Sequence, residues 1–392
     1  MTEPRPEPPP TRLVSLDAYR GFVMLAMCST GFGVRDIATN LPENKLWTAL
    51  SYQFSHVAWV GCAFWDLIQP SFMFMVGVSL PFSYASRIAK GKSRSSIAGH
   101  MVYRAVLLVL LATFLASSQS DQTSWRFTNV LGQIGLGYAI LFPFLGRSLR
   151  TQAIVLALIL FGYWLAFALY PLRPDDFDYT TVGVAADFPL LDGFFAHWNK
   201  NTNLAADFDA WFLNLFPGKE PFAYSGGGYQ TLSFVPSLGT MLLGLMAGEL
   251  LRSSRRPKEK VRVLLISGVA CLIVGALLGW TLCPIVKRIW TPSWVLFAGG
   301  WTFLMLGTFY VVIEMWGWTR WAFPFVVVGM NSITIYLMSL LLKGWISQRL
   351  TAHLGEQTFA GTYGPFFLSA LVVFCLWLVC WWMYRRKIFL RL

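Results

Sequence analysis

Charge is scarce in this chain. Asp, Glu, Lys and Arg make up 13% of its 392 residues, against 56% hydrophobic. Soluble domains carry about a quarter charged residues, so the balance excludes an ordinary water-soluble fold. Histidine is scarcer still, with four. The six cysteines (Cys28, Cys62, Cys271, Cys283, Cys375, Cys380) form no Cys-x-x-Cys pair and have no His at zinc spacing. That argues against a metal centre, and buried helical thiols are the plainer expectation. The run Gly226-Gly227-Gly228 lacks a preceding strand and a following Lys-Ser/Thr, so it reads as a flexible loop rather than a phosphate cradle. Residues 1–12 are polar and Pro-rich, and no short apolar region with a cleavage site follows. A disordered cytoplasmic tail is expected there, not a signal peptide.

What is present is apolar sequence in runs of about 20 residues, the length a helix needs to cross a bilayer. The expected fold is all-α: a polytopic membrane helix bundle of about ten transmembrane helices in one domain, 13–392. The runs fall near 13–32, 55–81, 101–118, 128–146, 152–171, 233–251, 263–282, 293–315, 322–343 and 363–384. Many of the 18 Trp lie near run ends, as interface belts do. Residues 172–230 break the pattern with Asp, Asn, Pro and aromatics and are long enough to be an external loop cap. The net charge of +12 comes from basic residues in short loops, so membrane topology explains it better than nucleic acid. With a cytoplasmic N-terminus and alternating helices, 21 of the 31 Lys and Arg fall inside. Both termini and the 252–262 loop are then cytoplasmic, and the cap and His56 are external. The expected location is a bacterial cytoplasmic (inner) membrane, with lipids as neighbours.

The chemistry concentrates in residues 55–81. This stretch opens on a polar, aromatic mouth of His56, Trp59 and Trp65. Asp66 and Gln69 follow, one turn apart on one helix face. Ionisable residues at the edge of lipid usually face a bundle interior or a water-filled cavity. Asp17 and Arg20 are three apart on the first helix, and can be a local ion pair or part of a site. Gln133 sits among Gly132, Gly135 and Gly137, where an interhelical hydrogen bond accounts for it. Asn331, in Gly329-Met330-Asn331-Ser332, places an amide in mid-span that needs partners. His56 beside Trp59 can equally make a plain interfacial hydrogen bond. Together Asp17, Arg20, Asp66, Gln133 and Asn331 are expected to line one cavity leading to His56.

Several motifs carry a resemblance: Ser15-Leu16-Asp17-Ala18-Tyr19-Arg20-Gly21, then His56-Val57-Ala58-Trp59-Val60-Gly61 with Asp66-Leu67-Ile68-Gln69-Pro70. Phe72 to Ser79, Leu242 to Gly248, Trp290 to Gly300 and Gly329 to Tyr336 continue it. In that order they resemble the heparan-α-glucosaminide N-acetyltransferase family over most of the chain. The resemblance implies a transmembrane acetyltransferase that uses cytosolic acetyl-CoA and acetylates a terminal glucosamine amine on the far side. It implies His56 as the active-site His, with Asp66 and Asn331 as its partners in the family motifs. Two departures stand out: Gly31 occupies the position of a family Asn, and Gly227-Gly228-Tyr229-Gln230-Thr231 replaces an acidic, Pro-containing motif. The acceptor is therefore read more broadly, as an amine or hydroxyl of an external amino sugar or glycan.

That implied reaction suits the residues. An attacking amine must lose a proton, and imidazole is the side chain whose ordinary pKa suits a base near neutrality. Asp66 can orient it or anchor the bundle. CoA phosphates need cations on the cytosolic side, and Arg87, Arg94, Arg104 and Arg252 are the candidates. No metal is expected; a homodimer is left open. The alternative class is a polytopic transporter or flippase of a glycan or lipid-linked sugar, against which the lack of an evident inverted repeat counts.

Overall fold

The computed structural model describes residues 12–118 and 120–390, so the expected tail lies outside them except for Arg12. Among the described residues the chain is helical, with no strand. Its one bridge outside helices pairs Val60 with Val286, antiparallel. In chain order the helices are α1 Val14–Ser29, α2 Val34–Asn40, α3 Lys45–Gln53, α4 Ile68–Ile88, α5 Arg94–Ser117, α6 Val130–Leu141, α7 Leu149–Ala168 and α8 Leu204–Phe212. There follow α9 Phe234–Arg252, α10 Pro257–Thr281, α11 Pro292–Tyr310, α12 Phe323–Gly329, α13 Ser332–Leu341, α14 Lys343–Leu354 and α15 Gly364–Arg385.

Seven helical stretches among the described residues are long and apolar enough to span a membrane: Phe64–Ile88, Arg94–Ser117, Leu149–Ala168, Thr231–Arg252, Pro257–Thr281, Pro292–Met315 and Gly364–Arg385. They identify an integral membrane protein. An eighth arises if α12 and α13, bent by 70° at a short break, count as one span. The remaining two of the ten expected spans correspond to shorter helices, α1 with 16 residues and the apolar stretch Val130–Phe144. The first expected span stops early for a local reason. Thr30, Gly31, Phe32 and Gly33 all adopt positive φ, which ends the right-handed helix at Ser29.

Small residues set how close the helices come. A Cβ on Gly77 of α4 would lie 1.9 Å from the Met241 carbonyl oxygen of α9, and one on Gly244 would lie 2.0 Å from that of Phe74. Gly21 of α1 and Gly329 of α12 touch backbone in the same way. With no hydrophobic drive between helices in lipid, close backbone packing of this kind is what holds them. α4 is thereby fixed against α1, α9 and α11 near the centre of the bundle. The 172–230 segment is folded: it carries α8 and short 3-10 turns, with Trp198 fully buried and stacked at 8° on Phe167. The consecutive residues Asn199 to Asn203 are all buried. Their amides bond backbone, Asn199 to Leu191 at 2.8 and 2.9 Å and Asn203 to Asn199 at 2.7 Å, which satisfies polar groups that burial would otherwise penalise.

Candidate active site

Asp66 lies in a 3-10 turn, Phe64–Leu67, that opens into α4. Its carboxylate is 1% exposed and is positioned by backbone: Oδ2 accepts from Ala63 N at 3.1 Å and Val57 N at 3.3 Å. The other oxygen stands 2.7 Å from His56 Nδ1. A carboxylate pairing at that distance keeps the Nδ1 proton on the ring side and leaves Nε2 as the free nitrogen. The His56 side chain is 39% exposed, and among the described residues its hydrogen-bond contacts are all at Nδ1.

A third group completes the cluster. Lys287 Nζ lies 3.1 Å from His56 Nδ1 and 3.4 Å from Asp66 Oδ1, with its side chain 4% exposed. Lys287 belongs to the short segment between α10 and α11, which is tightly held. Gly61 N donates to Ile285 O at 2.9 Å beside the Val60–Val286 bridge, and Thr291 Oγ1 accepts from Val286 N at 3.0 Å. Trp290 takes a left-handed φ of 51°, an outlier for a bulky residue, and its N–H closes the turn on Lys287 O at 2.9 Å. Burial pushes the Lys287 ammonium down to about 8, while Asp66 pulls the other way. Arg288 beside it donates to the Gly227 and Val57 carbonyls and lies over the Tyr229 ring, 5.3 Å from its centre. The folded 172–230 segment thus reaches the His56 loop. Trp59 joins the same contact, its indole N–H donating to Trp198 O at 2.9 Å.

The expected single cavity is not what the structure contains. A cavity of about 550 Å³ lies at the other end of α4, lined by Asp17, Arg20, Ser79, Arg87 and Arg104, with Arg12, Lys90 and Lys92 at its rim. Arg20 reaches Ser79 Oγ at 2.6 Å, and Asp17 pairs with Arg12 at 2.5 Å and Arg20 at 3.5 Å. The physical reason is a packed seam between two distant ends. α1 runs antiparallel to α4, so an acid at the start of α1 and an acid at the start of α4 sit at opposite ends. Asp66 and Ser79 are 13 positions apart, about 20 Å along a helix. Between them lies a void of only about 10 Å³, lined by apolar groups such as Phe22, Leu67 and Met305, too small and dry for more than one water.

The other expected site residues scatter. Gln133 is buried and donates to Phe127 O at 3.1 Å and Thr231 O at 3.3 Å. Asn331 is fully buried at the α12–α13 break, its Oδ1 accepting from Leu390 N at 3.4 Å. It does not line the cavity, although Gly329, Met330 and Ser332 do. Gln69 is half-buried one turn beyond Asp66. Of the four arginines expected to meet CoA, Arg87 and Arg104 line the cavity, while Arg94 and Arg252 are exposed outside it. Lys287, Arg288 and Tyr229 escaped the sequence reading. A signal existed: Lys287-Arg288 is a basic pair in a short loop between two apolar runs.

No family model matches the chain. Its relatives are acetyltransferases by name. The chain is 25% identical over 436 residues to heparan-alpha-glucosaminide N-acetyltransferase of Homo sapiens, covering 98% of this chain and 60% of that protein. It is 24% identical over 425 residues to the enzyme of that name from Mus musculus, covering 97% and 60%. The chain therefore spans about 60% of the length of the curated relatives it matches. A likeness this distant, yet running nearly end to end, supports a family relationship rather than identity with a particular member.

Proposed function

We propose that this protein is a transmembrane acyltransferase that moves an acetyl group from acetyl-CoA to an amine or hydroxyl of a carbohydrate acceptor. The observation that carries this reading is the His56–Asp66 pair at 2.7 Å, with the His56 side chain 39% exposed. Such a pair suits a general base: Asp66 holds the ring and its tautomer, and Nε2 takes the proton of the attacking group. The distant acetyltransferase relatives supply the reaction class. Acetyl-CoA, as substrate, supplies the activated thioester. The residues fit it at the far end of α4, where Arg20, Arg87, Lys90, Lys92 and Arg104 surround one cavity against a single acid, Asp17. Phosphates would be held by that set, with Arg20 at the inner position beside Ser79.

The reading makes the basic end cytosolic, with both termini, and the 172–230 segment and His56 external, in keeping with the positive-inside rule and a bacterial inner membrane. For the acetyl group to reach His56, the apolar α1–α4 seam, closed to about 10 Å³ in this structure, must open. The test is transfer itself. Purified protein is incubated with acetyl-labelled acetyl-CoA and a panel of amino sugars and glycans. His56→Ala is expected to retain CoA binding and to lose roughly 10²–10⁴-fold in transfer, the usual worth of a positioned base. Transfer at the parent rate would return His56 to a packing role.

A transporter of a glycan or lipid-linked sugar is the second reading, favoured by one observation. The broken pair α12–α13 lines the large cavity, and interrupted helices commonly form transporter binding sites. Sugar movement into proteoliposomes without acetyl-CoA, and no acetylated product, would favour it.

A further inference from the structure

The proposed transfer leaves Lys287 without a task, although it is the buried cation nearest the base. A structural role alone explains it poorly. Among the described residues its Nζ makes no hydrogen bond to a backbone carbonyl; its contacts are His56 Nδ1 and Asp66 Oδ1, at 3.1 and 3.4 Å. The 2.7 Å contact between His56 and Asp66 places a proton on Nδ1, so an ammonium at 3.1 Å finds no lone pair there and points its charge at the ring. A carboxylate alone beside a histidine favours the imidazolium, which cannot act as a base. A second cation on the same carboxylate opposes that.

We propose that Lys287 is a positioning residue that shares the charge of Asp66 with His56 and so holds the resting imidazole in its unprotonated, base-competent form. The inference rests on the reading of His56 as the base. The other titratable or charged groups facing the pair are Cys62 on the His56 loop, Arg288 beside Lys287, and Tyr229 from the folded segment, whose ring lies 5.9 Å from Lys287 Nζ. Arg288 is already bonded to the Gly227 and Val57 carbonyls and covers Tyr229. Cys62 and Tyr229 are both neutral at rest, as burial raises the Tyr229 phenol. Lys287 is thus the cation in contact with the His56–Asp66 pair. Burial favours its uncharged form, so the balance it provides weakens as pH rises towards about 8, where the base needs it least.

The experiment reads His56 directly and without turnover. Full-length protein in detergent is labelled with ¹⁵N-histidine, and the His56 ring signals are assigned by their loss in His56→Gln. In Lys287→Met, and in Lys287→Gln as a second neutral variant, the imidazolium form should persist to a pH about 1–3 units higher than in the parent. Lys287→Arg, which keeps the charge, should titrate like the parent. The acidic limb of kcat/KM should move up by the same interval in the neutral variants, with the rate recovered at higher pH. An unmoved His56 titration in both neutral variants overturns the proposal, as does a rate loss that is equal at every pH. If the parent acetylates no acceptor, the acyltransfer reading falls, while the ring titration still decides whether Lys287 sets the charge of His56.

Discussion

The two ends of α4 are built on opposite plans. At the end that carries Asp66 the ionisable groups are few, touching and held by backbone: one acid, one imidazole and one buried lysine, closed over by Trp59, Arg288 and the 172–230 segment. At the other end six cations stand around about 550 Å³ of space. The first plan holds one ring in a fixed orientation. The second provides field and room for an anion, with geometry left to the guest. The proposed transfer of an acetyl group from a bulky phosphorylated donor to an acceptor would use both, the basic end for the donor's phosphates and the His56 end for the acceptor's proton.

α4 itself offers the largest effect. Gly77→Val places side-chain atoms where a Cβ already falls 1.9 Å from the Met241 carbonyl, so α4 and α9 must separate. Overpacking of even softer contacts costs about 1–3 kcal/mol. The expected outcome is loss of monodisperse protein on size-exclusion chromatography, with both ends failing together. Gly162→Val, where a new Cβ meets nothing within 4 Å, is the control and should behave as the parent. A well-folded Gly77→Val protein would mean the two ends are not tied through this seam.

A smaller effect separates the ends. Arg104→Glu reverses a cavity charge that is held by Tyr138 at 3.3 Å, and Arg87→Glu reverses another. Each removes a charge-assisted phosphate bond of about 1.5–3 kcal/mol, so CoA affinity by calorimetry should fall at least about tenfold. Arg94→Glu, exposed outside the cavity, should change it little. Equal losses in all three would reduce the basic end to a topology signal.

The contrast also explains what could be read from sequence. The membrane class is legible from run length, His56 and Asp66 stand out through the motifs that carry the resemblance, and the basic stretch from Arg87 to Arg104 stands out by charge density. The expectation of one shared cavity failed on packing. Alternating topology already puts Asp17 and Asp66 at opposite ends of antiparallel helices, but sequence does not show that the seam between them packs down to about 10 Å³. Lys287 was hidden for a related reason. Its partners are 221 and 231 residues away, and only the Val60–Val286 bridge brings its loop to His56. The kink at Asn331 and the left-handed run Thr30 to Gly33 were legible only as polar or Gly-rich interruptions, with no sign of which way the chain would turn.

The smallest effect lies in the folded segment that closes the His56 end. Asp209 on α8 is 1% exposed, and its Oδ2 accepts from Thr231 N at 2.8 Å. Burial pushes its carboxyl up to about 6, against the smaller opposing pull of the Thr231 bonds. The sign follows from linkage. An acid raised in the folded state contributes stability that is fully present below its ordinary range near 4, and loses it as pH rises through about 6. A shift of about two units corresponds to about 3 kcal/mol at most, and local opening of the segment lessens it. Asp209→Asn keeps an oxygen for the Thr231 N–H and removes the charge. It should raise the apparent Tm at pH 7.5 by a few degrees, followed by tryptophan fluorescence, and give no gain at pH 5. A gain of the same size at both pH values would show that Asp209 is not held protonated by burial. The closed end would then lose this one pH-dependent tie, while its His56–Asp66–Lys287 cluster, which Asp209 does not touch, would keep its own.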